Sequence, residues 1–162
     1  MLGVGGGVGA IEIELLRAGA QEATVVEISD AYDSEARALL TERGLERRVE
    51  RRHGDFVAAE EMVAPADVVV MHRVVCCYPD VDALVGAAAQ HTRRLLAMSF
   101  PRDTWWARLG SRVVNLFSKT VWEFESFIHP HAKIFAAARA AGLRPVHERT
   151  GRLWHVAVLE RS

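Results

Sequence analysis

The sequence predicts an α/β fold on a mostly parallel sheet. Three observations carry this reading: short β-branched runs alternate with longer helical patterns, a glycine-rich turn joins the first run to the first helix, and the chain closes on two runs joined by a tight turn. Leu2 to Val4 is the first strand. Gly3-Val4-Gly5-Gly6-Gly7-Val8-Gly9 then runs into Ala10 to Leu16, which has helix formers and apolar spacing. Glycine lacks a Cβ, so the backbone there can take positive φ and approach a ligand, while the N–H groups opening the helix point at it. A plain βα connection does not need glycines at alternate positions, so the turn is expected to hold a cofactor.

The helix through Ala18 ends at Gly19, and Ala23 to Ile28 follows as a strand carrying the acid Glu27 at its end. A second helix opens near Ser29-Asp30, places Ala36, Leu39 and Leu40 on one face and stops at Gly44. Arg47 to His53 is a third strand whose arginines suit an edge, where Arg47, Arg48, Arg51 and Arg52 would be a solvated guard against edge pairing. Ala66 to His72 is nearly all apolar and is expected at the centre. Pro79 opens a helix to about Gln90, and Arg94 to Phe100 is a fifth strand closed by Pro101.

The alternation breaks after that strand. Residues 102 to 121 set Trp105, Trp106, Leu109, Val113, Leu116 and Phe117 among Arg102, Arg108, Arg112 and Lys119, an amphipathic stretch longer than a crossover needs. It reads as a helical, lid-like insertion over about 102–125 in a single domain spanning 1–162. Its apolar face is expected either to pack on the sheet or to offer rings to a pocket. A helix from Pro130 to Ala141 with Gly142 as its cap leads to strands Leu143 to Glu148 and Leu153 to Leu159 around Thr150-Gly151-Arg152, an antiparallel hairpin.

The 162 residues suffice for one core burying roughly two thirds of the unfolded surface. Formal charge is −1 with acids and bases interspersed, which gives no electrostatic basis for general nucleic-acid or membrane-surface binding. A small-molecule partner is expected, and a nucleic-acid one is disfavoured. The two cysteines, Cys76 and Cys77, are adjacent, so a structural disulfide is not expected; they read as small buried apolar groups in a reducing compartment. The apolar runs are short and interrupted by charge, so neither a signal peptide nor a membrane span is expected, and the protein is expected in the cytoplasm. His129-Pro130-His131 lacks a carboxylate pair at ligand spacing, so no metal is expected.

Leu2-Gly3-Val4-Gly5-Gly6-Gly7-Val8-Gly9, Glu27 after the second strand, Gly54-Asp55-Phe56 after the third and the closing hairpin together resemble a class I S-adenosylmethionine-dependent methyltransferase, over essentially the whole chain. The resemblance implies a three-layer Rossmann-like fold, a seven-stranded sheet with an antiparallel last strand, and S-adenosylmethionine along the carboxyl ends of the first strands. The cofactor residues it implies are Gly3, Gly5, Gly6, Gly7, Glu27, Ile28, Asp55, Phe56, His72 and Arg73. Glu27 lies eighteen positions after Gly9, which suits a carboxylate accepting both ribose hydroxyls, and Asp55 with Phe56 suits an adenine held through its amine and by apolar contact. One departure stands out. Two positions before Gly5 the family usually carries an acid that helps fix the cofactor's methionine end, and this chain has Gly3. The family also usually has N-terminal helices closing over the cofactor, so the chain is expected to be incomplete at its amino end.

His72-Arg73-Val74-Val75-Cys76-Cys77-Tyr78-Pro79-Asp80 follows the fourth strand, where acceptor and methyl group would meet. His72 is the candidate base and Arg73 a candidate for an acceptor carboxylate or phosphate, although methyl transfer can run on proximity and orientation alone. Tyr78, Trp105, Trp106, Phe127 and His129 are the expected acceptor residues, with Phe117 and Trp122 as further rings and Arg102 as a further cation, for a small, flat, partly apolar molecule. Two alternatives stay open. Gly5-Gly6-Gly7-Val8-Gly9-Ala10 also fits a nicotinamide fingerprint, although Lys119 and Lys133 are not near Tyr32 or Tyr78 in the chain. A non-catalytic protein of the same fold could instead bind a partner through the tryptophans of the insertion.

Overall fold

The computed structural model describes residues 1–121 and 125–162, with all their side chains except those of 60, 112 and 116–121. Trp122 and the Phe117 side chain therefore lie outside the described residues. In chain order the elements are β1 (Leu2–Val4), α1 (Ala10–Arg17), β2 (Ala23–Glu27), α2 (Asp33–Glu42), β3 (Val49–His53), β4 (Ala66–His72), α3 (Val81–Gln90), β5 (Thr92–Pro101), α4 (Trp105–Val121), α5 (His131–Ala140), β6 (Leu143–Thr150) and β7 (Trp154–Arg161). The strands form one sheet in the order β3-β2-β1-β4-β5-β7-β6. The first five are parallel, and β7 runs antiparallel between β5 and β6. Strand order reverses at β1, whose neighbours are β2 and β4, so the carboxyl ends of these three strands open a crevice.

Several boundaries differ from the sequence reading, each for a local reason. β2 stops at Glu27, not Ile28, because the Glu27 carboxylate turns back to accept from the Ser29 N–H at 3.0 Å. β3 begins at Val49, since Arg47 and Arg48 belong to a 3₁₀ turn. Position on the sheet edge agrees with the expectation for β3, but its arginines are not simply solvated. Arg48 donates to the carbonyls of Gln21, Leu16 and Ala20, and Arg51 is paired with Asp33 at 3.0 Å. α3 starts at Val81 because the Asp80 side chain accepts from the N–H groups of Asp82 and Ala83, both at 3.1 Å, a stronger cap than Pro79 can give.

The core follows from the alternating and continuous apolar patterns. Phe100, Leu96 and Met98 of β5, Met71 and Val69 of β4 and Leu159 of β7 are fully buried, together with Leu84 and Val85 of α3 and Ile134 of α5. Ile13 and Leu16 of α1 gather with Ala23, Leu40 and Leu45 in a second cluster. α4 differs. Its polar side is tethered, with Ser111 Oγ and Asn115 Nδ2 donating to the Ser126 carbonyl at 2.6 and 2.8 Å, while Trp105, Leu109, Val113 and Val114 are exposed. No helix among the described residues is long and apolar enough to cross a membrane.

Arg161, the last residue of β7, closes the structure by donating to the carbonyls of Thr92 at 2.6 Å, Ala141 at 2.8 Å and Ala89. Removing it strands acceptors at the ends of α3 and α5 and at the start of β5. Arg161→Ala is expected to cost about 1–3 kcal/mol in chemical denaturation, whereas Arg144→Ala, whose exposed pair with Glu160 spans 3.8 Å, should stay within about 0.5 kcal/mol.

Candidate functional site

The site begins at the end of β1. Gly5 N donates to Val26 O at 2.8 Å, which pins the glycine turn to β2, and Gly5 sits at φ +65°. A Cβ there would fall 2.4 Å from Val74 Cγ2, so only glycine lets the turn pass beneath the loop after β4. Gly7, at φ +54°, has open space where a Cβ would be. Its N–H donates to Glu27 Oε2 at 2.8 Å, and the other carboxylate oxygen takes the Ser29 N–H. Glu27 is only 7% exposed, yet it borders the crevice, so two backbone donors fix a negative group at the rim.

Facing it is the loop after β3. Asp55 Oδ1 accepts from Val57 N at 3.0 Å and its Oδ2 accepts from the Tyr78 hydroxyl at 3.1 Å, beside the buried ring of Phe56. Burial, followed by the Asp55 hydrogen bond and charge, pushes the Tyr78 phenol above its ordinary range, so it remains a donor at neutral pH.

The loop after β4 supplies the remaining wall. Arg73 is the one non-glycine residue at positive φ, 60°, among the described residues, and it is held there by its N–H donating to Ser99 Oγ at 3.0 Å. The same hydroxyl bonds His72 Nδ1 at 2.9 Å, an arrangement made possible by the His72–Ser99 register of β4 against β5. His72 itself lines the crevice. Burial, then the Arg73 charge, lowers the His72 pKa and favours the neutral ring. The Arg73 guanidinium stacks over Trp154 at 4.7 Å. Cys76 is buried as expected, but Cys77 is exposed at the cavity wall, 3.6 Å from the Cys76 sulfur; that contact and burial push the Cys76 thiol up.

These elements enclose a cavity of about 640 Å³. Gly5, Gly6, Gly7, Glu27, Ile28, Asp55, Phe56, His72, Arg73 and Tyr78 line it. Gly3, Trp105, Trp106, Phe127 and His129 do not. Trp105 and Trp106 stand 77% and 42% exposed on α4. Phe127 and His129 stack on each other with centroids 5.8 Å apart beside the cavity, since His129 Nε2 donates to Tyr78 O at 2.9 Å and Phe127 N donates to Cys76 O at 2.7 Å. His131 turns elsewhere, 3.0 Å from Pro101 O. Glu12 and Tyr32 also line the cavity and Ser99 holds the His72 ring, and none of the three is among the site residues expected from sequence; the polar residue at the end of β5 is the signal that would have found Ser99. A second hollow of about 650 Å³ between α3 and α5 has its ionisable groups already engaged, Asp82 with Lys133 and Arg161 with backbone carbonyls.

No protein-family model matches the chain, and no curated protein matches it in sequence. Solved structures do. Magnesium protoporphyrin IX methyltransferase from Synechocystis with bound SAH superposes with a TM-score of 0.79 at 22% identity, over 99% of this chain and 73% of that one. The fold is that of the class I S-adenosylmethionine-dependent methyltransferases. An O-methyltransferase family protein from Burkholderia thailandensis gives a TM-score of 0.79 at 21% identity, covering 99% of this chain and 50% of its own. The [4+2]-cyclase SpnF shares the methyltransferase fold with this chain at a TM-score of 0.74 and 14% identity, covering 99% and 73% of the two chains. Identities this low establish the fold alone, and chemistry must come from the site.

The electrostatics of the β4 loop yields a direct check. In an NMR titration His72 should take up its proton below the ordinary 6.5 and so be neutral at pH 7. Arg73→Gln should move that midpoint upward; a wild-type midpoint at or above 6.5 contradicts the geometry.

Proposed function

We propose that the chain is an S-adenosylmethionine-dependent methyltransferase that methylates an oxygen, nitrogen or carbon of a small, partly apolar, aromatic acceptor. The observation that carries this reading is the Glu27 carboxylate, fixed by two backbone N–H groups at the rim of a crevice at the point where strand order reverses. The residues present fit the cofactor. Each Glu27 oxygen has a lone pair beyond its backbone bond, as two ribose hydroxyls require, and Asp55 keeps acceptor capacity for an amine beside the apolar ring of Phe56. The cavity volume suits a nucleoside-sized ligand, and the turn at Gly7 is open to it.

When bound, S-adenosylmethionine supplies an electrophilic methyl group on a sulfonium. The chain contributes position and proton handling. Glu27 and Asp55 orient the nucleoside, Gly5 to Gly7 let the backbone approach it, and Ile28 covers it from the β2 side. In the tautomer whose Nδ1–H donates to Ser99 Oγ, His72 presents the Nε2 lone pair to take a proton from the acceptor, and Arg73 pairs with an anionic group of the acceptor. Tyr78, with the Phe127–His129 stack tied to its carbonyl, is the aromatic edge against which a flat acceptor lies. Trp105 and Trp106 of α4 are the candidates to cover it. The free cysteines are consistent with a cytoplasmic, reducing setting.

Two other readings have less support. A nicotinamide dehydrogenase would want a lysine with Tyr32 or Tyr78 in the cavity, but Lys133 is engaged with Asp82 at 2.9 Å. A purely binding role rests on the exposed apolar face of α4. Titration calorimetry separates the methyltransferase from the dehydrogenase reading. S-adenosylhomocysteine should bind and NAD and NADP should not, with Glu27→Ala weakening binding by about 1–3 kcal/mol; a preference for the dinucleotides would overturn the methyltransferase reading.

A further inference from the structure

The chain has no side chain at position 3, and the fold brings a carboxylate to that place from another element. Gly3 lies in β1 with its missing side chain directed at α1. A Cβ there would fall 2.1 Å from Glu12 Oε1 and 2.9 Å from Glu12 Cδ, so the Glu12 carboxylate already fills the volume a residue at 3 would need. The same group underlies the rest of the turn, with Oε1 3.3 Å from a Cβ placed on Gly6 and Oε2 4.0 Å from one placed on Gly9.

Glu12 is costly to the apo protein. It is 3% exposed, its Oε2 accepts no hydrogen bond, and it lies on the wall of the cavity. Burial pushes its pKa up, against the Arg51 charge, and Arg51 Nη1 is itself a buried donor without a partner. A position in the first turn of α1 favours negative charge through the helix dipole, but that field satisfies no lone pair. A buried carboxylate with an empty acceptor site destabilises the free state, and a cationic donor arriving from the cavity relieves it. An alkylammonium group fits, since it is all donor and opposite in charge.

We propose that Glu12 is a cofactor-binding residue: its buried carboxylate, standing where the side chain of Gly3 would be, receives the ammonium group at the methionine end of S-adenosylmethionine. The assignment rests on the methyltransferase reading above. It makes positions 3 and 12 a coupled pair, because an acid introduced at 3 has room only if Glu12 is shortened.

Calorimetry with two nucleosides tests it: S-adenosylhomocysteine, which has the amino-acid end, and 5′-methylthioadenosine, which lacks it. Glu12→Gln should weaken S-adenosylhomocysteine at least tenfold and change methylthioadenosine less than twofold, while the unliganded variant unfolds at the wild-type temperature or above. Gly3→Asp combined with Glu12→Ala should recover part of the lost affinity for S-adenosylhomocysteine. Equal weakening of both nucleosides, or no weakening of either, overturns the assignment and leaves the methyltransferase reading standing. Failure of the wild type to bind either nucleoside overturns both.

Discussion

One carboxylate joins the loops on which the site depends. Glu27 takes the Gly7 N–H through one oxygen and the Ser29 N–H through the other, so the turn after β1 and the start of the next connection are fixed to a single charged group at the end of β2. A carboxylate held by backbone donors is oriented before any ligand arrives, and each oxygen of this cavity-lining residue keeps a lone pair beyond its backbone bond. Glycine makes this possible. A side chain at position 5 would strike Val74, and the turn would no longer pass under the β4 loop that carries His72 and Arg73.

Around that bond the site is layered by the sheet. β3 delivers Asp55 and Phe56 to one side, and β4 delivers His72 and Arg73 to the other. β5 stays in the core but sends Ser99 across the pair, where one hydroxyl accepts from the Arg73 backbone and holds the His72 ring. The unusual backbone of Arg73 is thus sustained by its neighbours, and strain of this kind gathers where a loop must present side chains in one direction. α4 follows a different logic. Ser111 and Asn115 are tied to the Ser126 carbonyl while Trp105, Leu109, Val113 and Val114 are exposed, so nothing among the described residues buries the ring of Trp105.

Most of the fold was legible because its signals are local. Four glycines at alternate positions, β-branched runs of strand length and glycine caps at 19, 44 and 142 each act within a few residues, and the resemblance implied seven strands with the last antiparallel. What escaped depended on partners distant in sequence. Asp80 outcompetes Pro79 as the α3 start because its carboxylate finds two free N–H groups, which a residue-by-residue reading does not weigh. Arg48 and Arg51 look like edge charges until the carbonyls ending α1 and the Asp33 carboxylate are beside them. Glu12 reads as an ordinary first-turn acid, and only its depth beneath Gly3 sets it apart. The amphipathic pattern of 105–117 fixed a helix but not which face it would bury.

The central claim is that Glu27 and the glycine turn form the nucleoside seat. A crystal structure with S-adenosylhomocysteine tests it most directly. Both ribose hydroxyls are expected within about 2.5–3.0 Å of the Glu27 carboxylate, with the purine beside Asp55 and Phe56. A nucleoside seated elsewhere, with Glu27 bonded only to Gly7 and Ser29, would contradict it.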